Sequence, residues 1–344
     1  MTNHAAYQKR VVMVLGMARC GTSTIARGLS AIGVDLGDKL LRPDQRNPTG
    51  FFEDTDVTFK INRGLLRTLN YPWICHDLAE RMQRHDDHVL NEFKDYALHL
   101  VQERLAGNDC WGFKDTNTTV FLPFWQSVLS AAGVEDNYVI ALRNPLGCAY
   151  SNIKHSNLTL EAGLLEWLKN MMLAVNGSRG KKCVVVSYDL LLNDPLRELL
   201  RMRHYLEVDT ASQNELDAYA SKFVDKKLHH HAYTDNDLIN DPAMAAVPLC
   251  LPVYQLLKEV ASDALSLTDD AFLTAWLPLK KEFEHRYPVY EYVNSLRKEN
   301  LQLERKIRTI RKSLPWKLLY PVRVLSTIWH SKKRHRKYSQ NTYE

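Results

Sequence analysis

The sequence has no apolar run long enough to cross a membrane as a helix, and it has no secretory signal pattern. Residues 1–10 are polar, and the apolar run that begins at Val11 is only as long as a strand. The 344 residues can form one large α/β domain with extensions, or two small domains. We therefore expect a soluble protein of the cytoplasm.

Closely spaced metal-ligand pairs are also missing. The six cysteines are scattered and include no Cys-x-x-Cys pair, so the sequence indicates neither a zinc site nor a disulfide framework. Three adjacent histidines, residues 229–231, follow Lys226 and Lys227. Adjacent side chains point in different directions, so a basic loop near an anion, or a solvated surface, is a better interpretation than a metal site. We expect no metal.

The chain lacks a strong charge of either sign. Its net charge is +5, and about seven of its Lys and Arg residues lie after Ser313, where Glu344 is the single carboxylate. The remaining body is close to neutral, which argues against a nucleic-acid-binding surface over the whole protein. Local basic pockets for an anionic substrate remain compatible with this balance.

The sequence does have a glycine-bounded loop after its first apolar run. Gly16 and Gly21 enclose four residues after Val11–Leu15, and the hydroxyl side chains of Thr22, Ser23 and Thr24 follow. This is the spacing of a phosphate-binding P-loop, although Thr22 replaces the lysine of nucleotide triphosphatases and Arg19 supplies a cation inside the loop. We expect the loop to bind a phosphate, but not the β and γ phosphates of ATP. The alternative is an ordinary strand-to-helix turn with a polar cap.

Short apolar strands alternate with amphipathic helices along the chain. The predicted strands are Val11–Leu15, Cys110–Lys114, Tyr138–Leu142 and Cys183–Tyr188. The predicted helices are Ser23–Ile32, Glu53–Leu69, Val89–Leu105 and Leu158–Val175. Such alternation indicates an α/β fold, with a P-loop-type parallel sheet flanked by helices and ligands at the carboxyl ends of the strands.

The C-terminal part has a different pattern. After Pro288, apolar residues recur every three or four positions and Asn300 occupies a core position of the repeat. This favours a homodimer through a coiled coil; the alternative is one amphipathic helix packed on the body. We divide the chain into a P-loop domain, residues 1–286, a coiled-coil or amphipathic helix, residues 287–312, and a basic amphipathic tail, residues 313–344. That tail could lie on an anionic membrane surface or be a disordered basic segment.

Two motifs in order resemble the sulfotransferase family that uses 3′-phosphoadenosine-5′-phosphosulfate (PAPS). The first is Gly16-Met-Ala-Arg-Cys-Gly-Thr-Ser, and the second is Tyr138-Val-Ile-Ala-Leu-Arg-Asn-Pro, followed by Ser151. The resemblance covers roughly residues 10–235. A third segment, Asn47-Pro-Thr-Gly-Phe-Phe-Glu53, resembles a bacterial, carbohydrate-type branch of that family.

The resemblance implies a role for each matching residue. It implies that the first loop holds the 5′-phosphosulfate, that Arg143 and Ser151 hold the 3′-phosphate, and that Lys114 lies near the transferred group. It also implies an aromatic contact to the adenine and a late basic loop that closes over the cofactor. The implied cofactor-binding residues are Arg19, Cys20, Gly21, Thr22, Ser23, Thr24, Arg143, Ser151, Tyr188 and Lys227, and the implied catalytic residues are Glu53, Lys114 and Arg19.

The general base is where the chain departs from the cytosolic small-molecule branch of that family. That branch has a lysine in the first loop and a histidine two residues after the strand lysine, whereas this chain has Arg19 and Thr116. Glu53 is our first candidate for the base and His155 our second.

The sequence therefore predicts a sulfotransferase that modifies an acceptor hydroxyl. The segment from Ser313 to Arg323 resembles one on bacterial enzymes of surface-polysaccharide assembly, which implies a carbohydrate or glycolipid acceptor. Two other functions remain open at this stage. A P-loop kinase would need the missing lysine and a magnesium carboxylate, and a non-catalytic membrane-associated scaffold would use only the coil and the tail.

Overall fold

The computed structural model describes residues 9–45, 47–69, 87–154, 158–208, 212–223, 233–320 and 322. The chain divides into two compact units, residues 1–290 and 291–344. Within the described residues, no helix combines the length and the apolar character needed to span a membrane.

A four-stranded parallel sheet forms the centre of the first unit. Its strands are β1 (Arg10–Leu15), β2 (Cys110–Lys114), β3 (Glu135–Leu142) and β4 (Cys183–Ser187). They lie in the order β2-β1-β3-β4, and every neighbouring pair is parallel. The predicted α/β class with a parallel sheet is thus confirmed.

Helices connect the strands and cover the sheet. Those of the N-terminal half are α1 (Thr22–Ala31), α2 (Arg63–Thr68), α3 (Asp87–Arg104), α4 (Leu122–Ala132), α5 (Pro145–Ile153) and α6 (Leu160–Ser178). A π-helical segment, Asp56–Asn62, leads into α2. Those of the C-terminal half are α7 (Tyr188–Asn193), α8 (Pro195–Leu206), α9 (Gln213–Ala218), α10 (Asp235–Asn240), α11 (Cys250–Ala261), α12 (Asp270–Lys312) and α13 (Leu314–Leu318).

The central strand β1 explains why the sheet is covered on both faces. Val11 to Leu15 are all essentially inaccessible to solvent. A strand with two buried faces reads as a continuous apolar run, as this one does, and it needs a helix layer on each side. The register places Val14 beside Lys114 on β2 and beside Val139 on β3. The carboxyl ends of the strands, where the polar motifs follow, therefore lie along one edge of the sheet.

The four predicted strands all exist, with small differences at their ends. β3 begins at Glu135 rather than Tyr138, because Asp136 and Asn137 are buried polar residues that an apolar pattern does not detect. The predicted helix from Glu53 starts later, since Asp54 Oδ1 accepts hydrogen bonds from the amides of Asp56 and Val57 at the first turn.

Candidate active site

The glycine-bounded loop between β1 and α1 is tightly constrained. Gly16, Arg19 and Gly21 have φ angles of 132°, 74° and 86°. The amide of Gly16 donates to Thr119 Oγ1 at 2.9 Å, and the amide of Cys20 donates to the Met17 carbonyl at 3.2 Å. Positive φ is costly for a residue with a side chain. The conformation of Arg19 is therefore imposed by the loop and not by local preference.

The amino end of α1 opens into this loop. Gly21 is the N-cap residue, and in the described part of the chain no side chain caps the helix. The first amides of a helix lack partners within the helix, and they carry its positive partial charge. Thr22 is buried, whereas Ser23 and Thr24 are half-buried at the same end. The structure thus has the donors that the P-loop spacing predicts for an anion site.

Arg19 joins this loop to the end of strand β3. Its Nε donates to Ser151 Oγ on α5 at 2.9 Å, and Arg143 Nη1 donates to the Arg19 carbonyl oxygen at 2.9 Å. Arg19 lies 124 residues before Arg143 and 132 residues before Ser151, so these contacts are a result of the fold. The two predicted anion-binding elements, the loop and the Arg143–Ser151 pair, are in direct contact.

The guanidinium groups of Arg19 and Arg143 lie close enough together for their charges to interact. Burial lowers the pKa of Arg19, and the positive charge of Arg143 lowers it further. Among the described residues, Arg19 makes no ion pair with an acidic side chain. Two guanidinium groups held close together in partly buried surroundings repel each other. An anion placed beside them would relieve this repulsion, so their arrangement favours anion binding.

Tyr188 lies against both elements. Arg143 packs its guanidinium over the Tyr188 ring, 4.8 Å from the ring centre. A Cβ atom on Gly21 would come within 2.3 Å of Tyr188 Cδ2, so only glycine permits this close approach. The predicted aromatic residue thus lies at the strand end beside the loop.

Cys20 differs from the other loop residues. Its side chain is fully buried, and its Sγ lies 2.6 Å from Sγ of Cys148 on α5. Burial raises the pKa of the Cys148 thiol well above its usual value, and the hydrogen bond with Cys20 is the second cause. The Cys20 side chain therefore packs into the protein between the loop and α5.

A second group of predicted residues meets on the other side of the loop. Lys114 Nζ at the end of β2 lies 2.6 Å from Glu53 Oε1, and both side chains are less than 10% exposed. Lys114 Nζ also lies 3.4 Å from Ser23 Oγ, which accepts a hydrogen bond from Asn47 Nδ2 at 3.2 Å. The structure therefore places the Lys114–Glu53 ion pair next to the start of α1.

A buried ion pair fixes the backbone beside Glu53. Arg104 Nε donates to Asp54 Oδ2 at 2.8 Å, and neither side chain is more than 5% exposed. The Glu53 carbonyl oxygen accepts a hydrogen bond from the Leu41 amide at 2.8 Å, and Phe52 has a φ of 54°. The strained conformation of Phe52 is thus enclosed between fixed contacts. These contacts direct the Glu53 side chain toward Lys114.

Asp115 is a buried carboxyl group that the sequence analysis did not select as a site residue. Its Oδ1 accepts hydrogen bonds from Asn62 Nδ2 at 2.8 Å and from the Asn117 amide at 2.9 Å. Burial raises the pKa of Asp115, and the charge of Glu53 raises it further. Asn47 lies inside the segment that resembles the bacterial branch, and Asp115 directly follows the predicted strand that ends at Lys114, so both had a usable local signal. Arg104 had no local signal, because it contacts Asp54 across 50 residues of chain.

Some predictions lie outside the described residues. These are Lys227 with the three adjacent histidines, the second candidate base His155, and the basic tail from residue 323 onward. In the ranges that the structure describes, no group of three or more His, Cys, Asp or Glu residues is arranged to hold a metal ion.

The sequence matches no protein-family model and no curated protein. Solved structures that match the chain include the sulfotransferase domain of the Synechococcus PCC 7002 olefin synthase, at 15% identity and a TM-score of 0.38, over 81% of this chain and 96% of that one. A sulfotransferase from Alicyclobacillus acidocaldarius has 14% identity and a TM-score of 0.36, over 71% of this chain and 96% of that one. A sulfotransferase domain from the curacin biosynthetic pathway has 15% identity and a TM-score of 0.36, over 61% of this chain and 77% of that one.

Proposed function

We propose that this protein transfers a sulfuryl group from PAPS to a hydroxyl group of an acceptor. The observation that carries the proposal is the contact of Arg19 with both Ser151 and Arg143 beside the uncapped start of α1. It joins two anion-binding elements at neighbouring strand ends. PAPS carries anionic groups at its 5′ and 3′ positions, and two joined anion sites match that distribution of charge.

The residues present fit such a donor. The amides of the first turn of α1, with Arg19, Ser23 and Thr24, are suited to the 5′-phosphosulfate, and Arg143 and Ser151 are suited to the 3′-phosphate. When bound, PAPS would supply a sulfuryl group attached to a phosphate leaving group. Thr22, which stands where a triphosphatase has its lysine, is buried and carries no charge. The loop therefore lacks the cation that would contact the β and γ phosphates of ATP.

The Lys114–Glu53 pair supplies groups for the chemistry. The Glu53 carboxylate is suited to accept the proton of the acceptor hydroxyl, and Lys114 is suited to neutralise negative charge next to Ser23. The low exposure of both side chains strengthens their electrostatic effect, because little water screens them. Arg19 and the amides of α1 would stabilise the negative charge that grows on the departing phosphate. Group transfer of this kind depends mainly on alignment and charge neutralisation.

We propose a carbohydrate or glycolipid hydroxyl as the acceptor. The support is the resemblance of the Ser313–Arg323 segment to a segment of polysaccharide-assembly enzymes. The predicted membrane contact of the tail rests on the same segment and on its basic composition.

The experiment is a transfer assay with ³⁵S-labelled PAPS and a panel of acceptors that includes sugars, glycolipids, phenols and amines. We expect labelled sulfate ester on at least one hydroxyl acceptor. A parallel assay with ATP labelled at the γ phosphate, in the presence of magnesium, should give no labelled product. Phosphoryl transfer from ATP, or failure of the protein to bind 3′-phosphoadenosine-5′-phosphate (PAP), would overturn the proposal.

A further inference from the structure

In the C-terminal part of helix α12, from Val293 onward, one face is apolar and exposed. The residues of this face are spaced three or four positions apart, and we name them the α12 stripe. They are Val293, Leu296, Asn300, Leu303, Ile307 and Ile310. All six residues are exposed, with Val293 at 53%, Leu303 at 53% and Ile310 at 51%. A repeating 3-4 spacing of apolar side chains is the pattern of a coiled-coil seam. The stripe is therefore a candidate surface for a second helix.

The stripe is complementary to a copy of itself. In heptad notation Val293, Asn300 and Ile307 occupy a positions, and Leu296, Leu303 and Ile310 occupy d positions. An antiparallel pair that is centred between residues 301 and 302 places each a residue opposite a d residue. Val293 then faces the partner's Ile310, and Ile307 faces the partner's Leu296. This register uses the whole stripe, which is about 26 Å long at 1.5 Å per residue.

The flanking charges distinguish the two orientations. A parallel pair brings each g residue next to the e residue five positions later in the partner. Glu299 would then meet the partner's Glu304, and Lys306 would meet the partner's Arg311. By the two-fold symmetry of the dimer each of these like-charge contacts occurs twice. A parallel dimer is therefore disfavoured at four places.

An antiparallel pair brings g residues next to g residues instead. In the centred register Glu299 lies near the partner's Lys306, and this opposite-charge contact occurs twice by symmetry. A shift of one heptad in either direction would place Glu299 near the partner's Glu299, or Lys306 near the partner's Lys306. The same charges therefore select both the orientation and the register.

Asn300 is the stripe residue that favours the other orientation. A parallel dimer would pair its two copies at one a layer, whereas the antiparallel register places them in the two layers that flank the symmetry axis, each opposite the partner's Leu303. A polar residue in the seam lowers stability in exchange for specificity. We propose that this protein forms an antiparallel homodimer through the α12 stripe, with Glu299 of each copy beside the partner's Lys306.

Charge reversal in the full-length protein tests the proposal, because the two orientations predict opposite signs. In the antiparallel dimer, Glu299→Lys and Lys306→Glu each replace two attractive contacts by repulsive ones. Each change should weaken dimerisation about 10-fold at low salt, and the double variant should restore it. In a parallel dimer each single change would strengthen the association. Sedimentation equilibrium over a range of concentrations measures the dissociation constants.

Arg305→Glu is the matched control. It makes the same charge change as Lys306→Glu, but residue 305 is an f position on the opposite face of α12, so dimerisation should not change. Disulfide trapping gives an independent readout: Val293→Cys and Ile310→Cys proteins should crosslink when mixed and not when each is oxidised alone. A monomer at all concentrations, a dimer insensitive to the Glu299→Lys change, a dimer strengthened by it, or self-crosslinking of Ile310→Cys would each overturn the proposal.

Discussion

The two halves of the candidate site handle charge in opposite ways. Around the loop, Arg19 and Arg143 lie close together, and burial and mutual repulsion lower the pKa of Arg19. On the other side of Ser23, Lys114 is already paired with Glu53 at 2.6 Å, and Asp54 is paired with Arg104 at 2.8 Å. The first half is arranged to receive an anion from outside. The second half is neutral within itself and holds a carboxylate in a fixed position.

This difference teaches how each half should respond to mutation. Removal of a cation from the loop removes a repulsion, so the protein should keep its stability while it loses affinity for an anion. Removal of one partner from a buried ion pair leaves the other charge without compensation, which is strongly destabilising. Activity and stability should therefore change independently in the first half and together in the second.

The largest expected effect is that of Glu53→Gln in the paired half. We expect kcat for sulfuryl transfer to fall about 10²–10⁴-fold, because the carboxylate proposed as the proton acceptor is lost. The free energy of unfolding should fall by about 3 kcal/mol, because Lys114 stays buried without its partner. Steady-state kinetics and urea unfolding measure the two effects. Glu103→Gln, a half-exposed carboxylate beside Arg104, is the control and should change neither. Full turnover by Glu53→Gln would show that Glu53 is not the base.

Arg19→Gly should have the next largest effect, in the cationic half. Calorimetric titration should show PAP binding weakened about 10–100-fold, since a charged hydrogen-bond donor is lost. The free energy of unfolding should stay constant or rise by about 1 kcal/mol, because glycine tolerates the φ of 74° without strain. A marked loss of stability would contradict the distinction between the halves.

Gly21→Ala tests the contact between the loop and Tyr188. The new methyl group would lie 2.3 Å from Tyr188 Cδ2, so the ring or the loop must move, and PAP affinity should fall several-fold. Gly133→Ala is a matched control, because Gly133 also has a positive φ but no atom within 4 Å of an added Cβ. Both variants should lose about 1 kcal/mol of stability from backbone strain, and Gly21→Ala should lose more because its methyl group overlaps the Tyr188 ring. Only Gly21→Ala should lose affinity, and an equal effect of both variants would argue that Tyr188 does not shape the site.

Asp115→Asn should give the smallest effect, seen in the pH dependence of stability. The pKa of Asp115 is raised in the folded protein, so between its unfolded and folded values the native state holds a proton that the unfolded state has released. Wild-type stability should therefore fall as pH rises through this interval, and the variant should lack that decline. Thermal unfolding at a series of pH values measures the difference. Parallel curves for the two proteins would mean that Asp115 ionises as an exposed carboxyl does.

The sequence located the elements of the cationic half because their signals are local. The spacing of Gly16 and Gly21 and the step from Arg143 to Ser151 each lie within one strand-to-helix connection, and all four strands were predicted from short apolar runs. The contact of Arg19 with Ser151 could not be derived from composition or periodicity, because it depends on the order of the strands. The family resemblance assigned both elements to one cofactor, but it did not predict this contact.

The paired half was predicted only in part. Glu53 and Lys114 lie in recognisable motifs, but their 2.6 Å contact joins segments 61 residues apart. The Arg104–Asp54 ion pair, which fixes the backbone beside Glu53, was not predicted. An arginine at the end of a long helix has the same local sequence pattern whether it is exposed or buried. Buried ion pairs of this kind are set by tertiary packing, and a single sequence gives no signal for them.

The most direct test of the central claim compares PAP with AMP, which lacks the 3′-phosphate, by calorimetric titration. The wild-type protein should bind PAP at least about 10-fold more tightly than AMP, because in the proposed site Arg143 and Ser151 would make a charged contact to the 3′-phosphate. Arg143→Ala should bind the two nucleotides equally, and Arg179→Ala, an exposed arginine after α6, should behave as the wild type does. Equal binding of PAP and AMP by the wild-type protein would contradict the account.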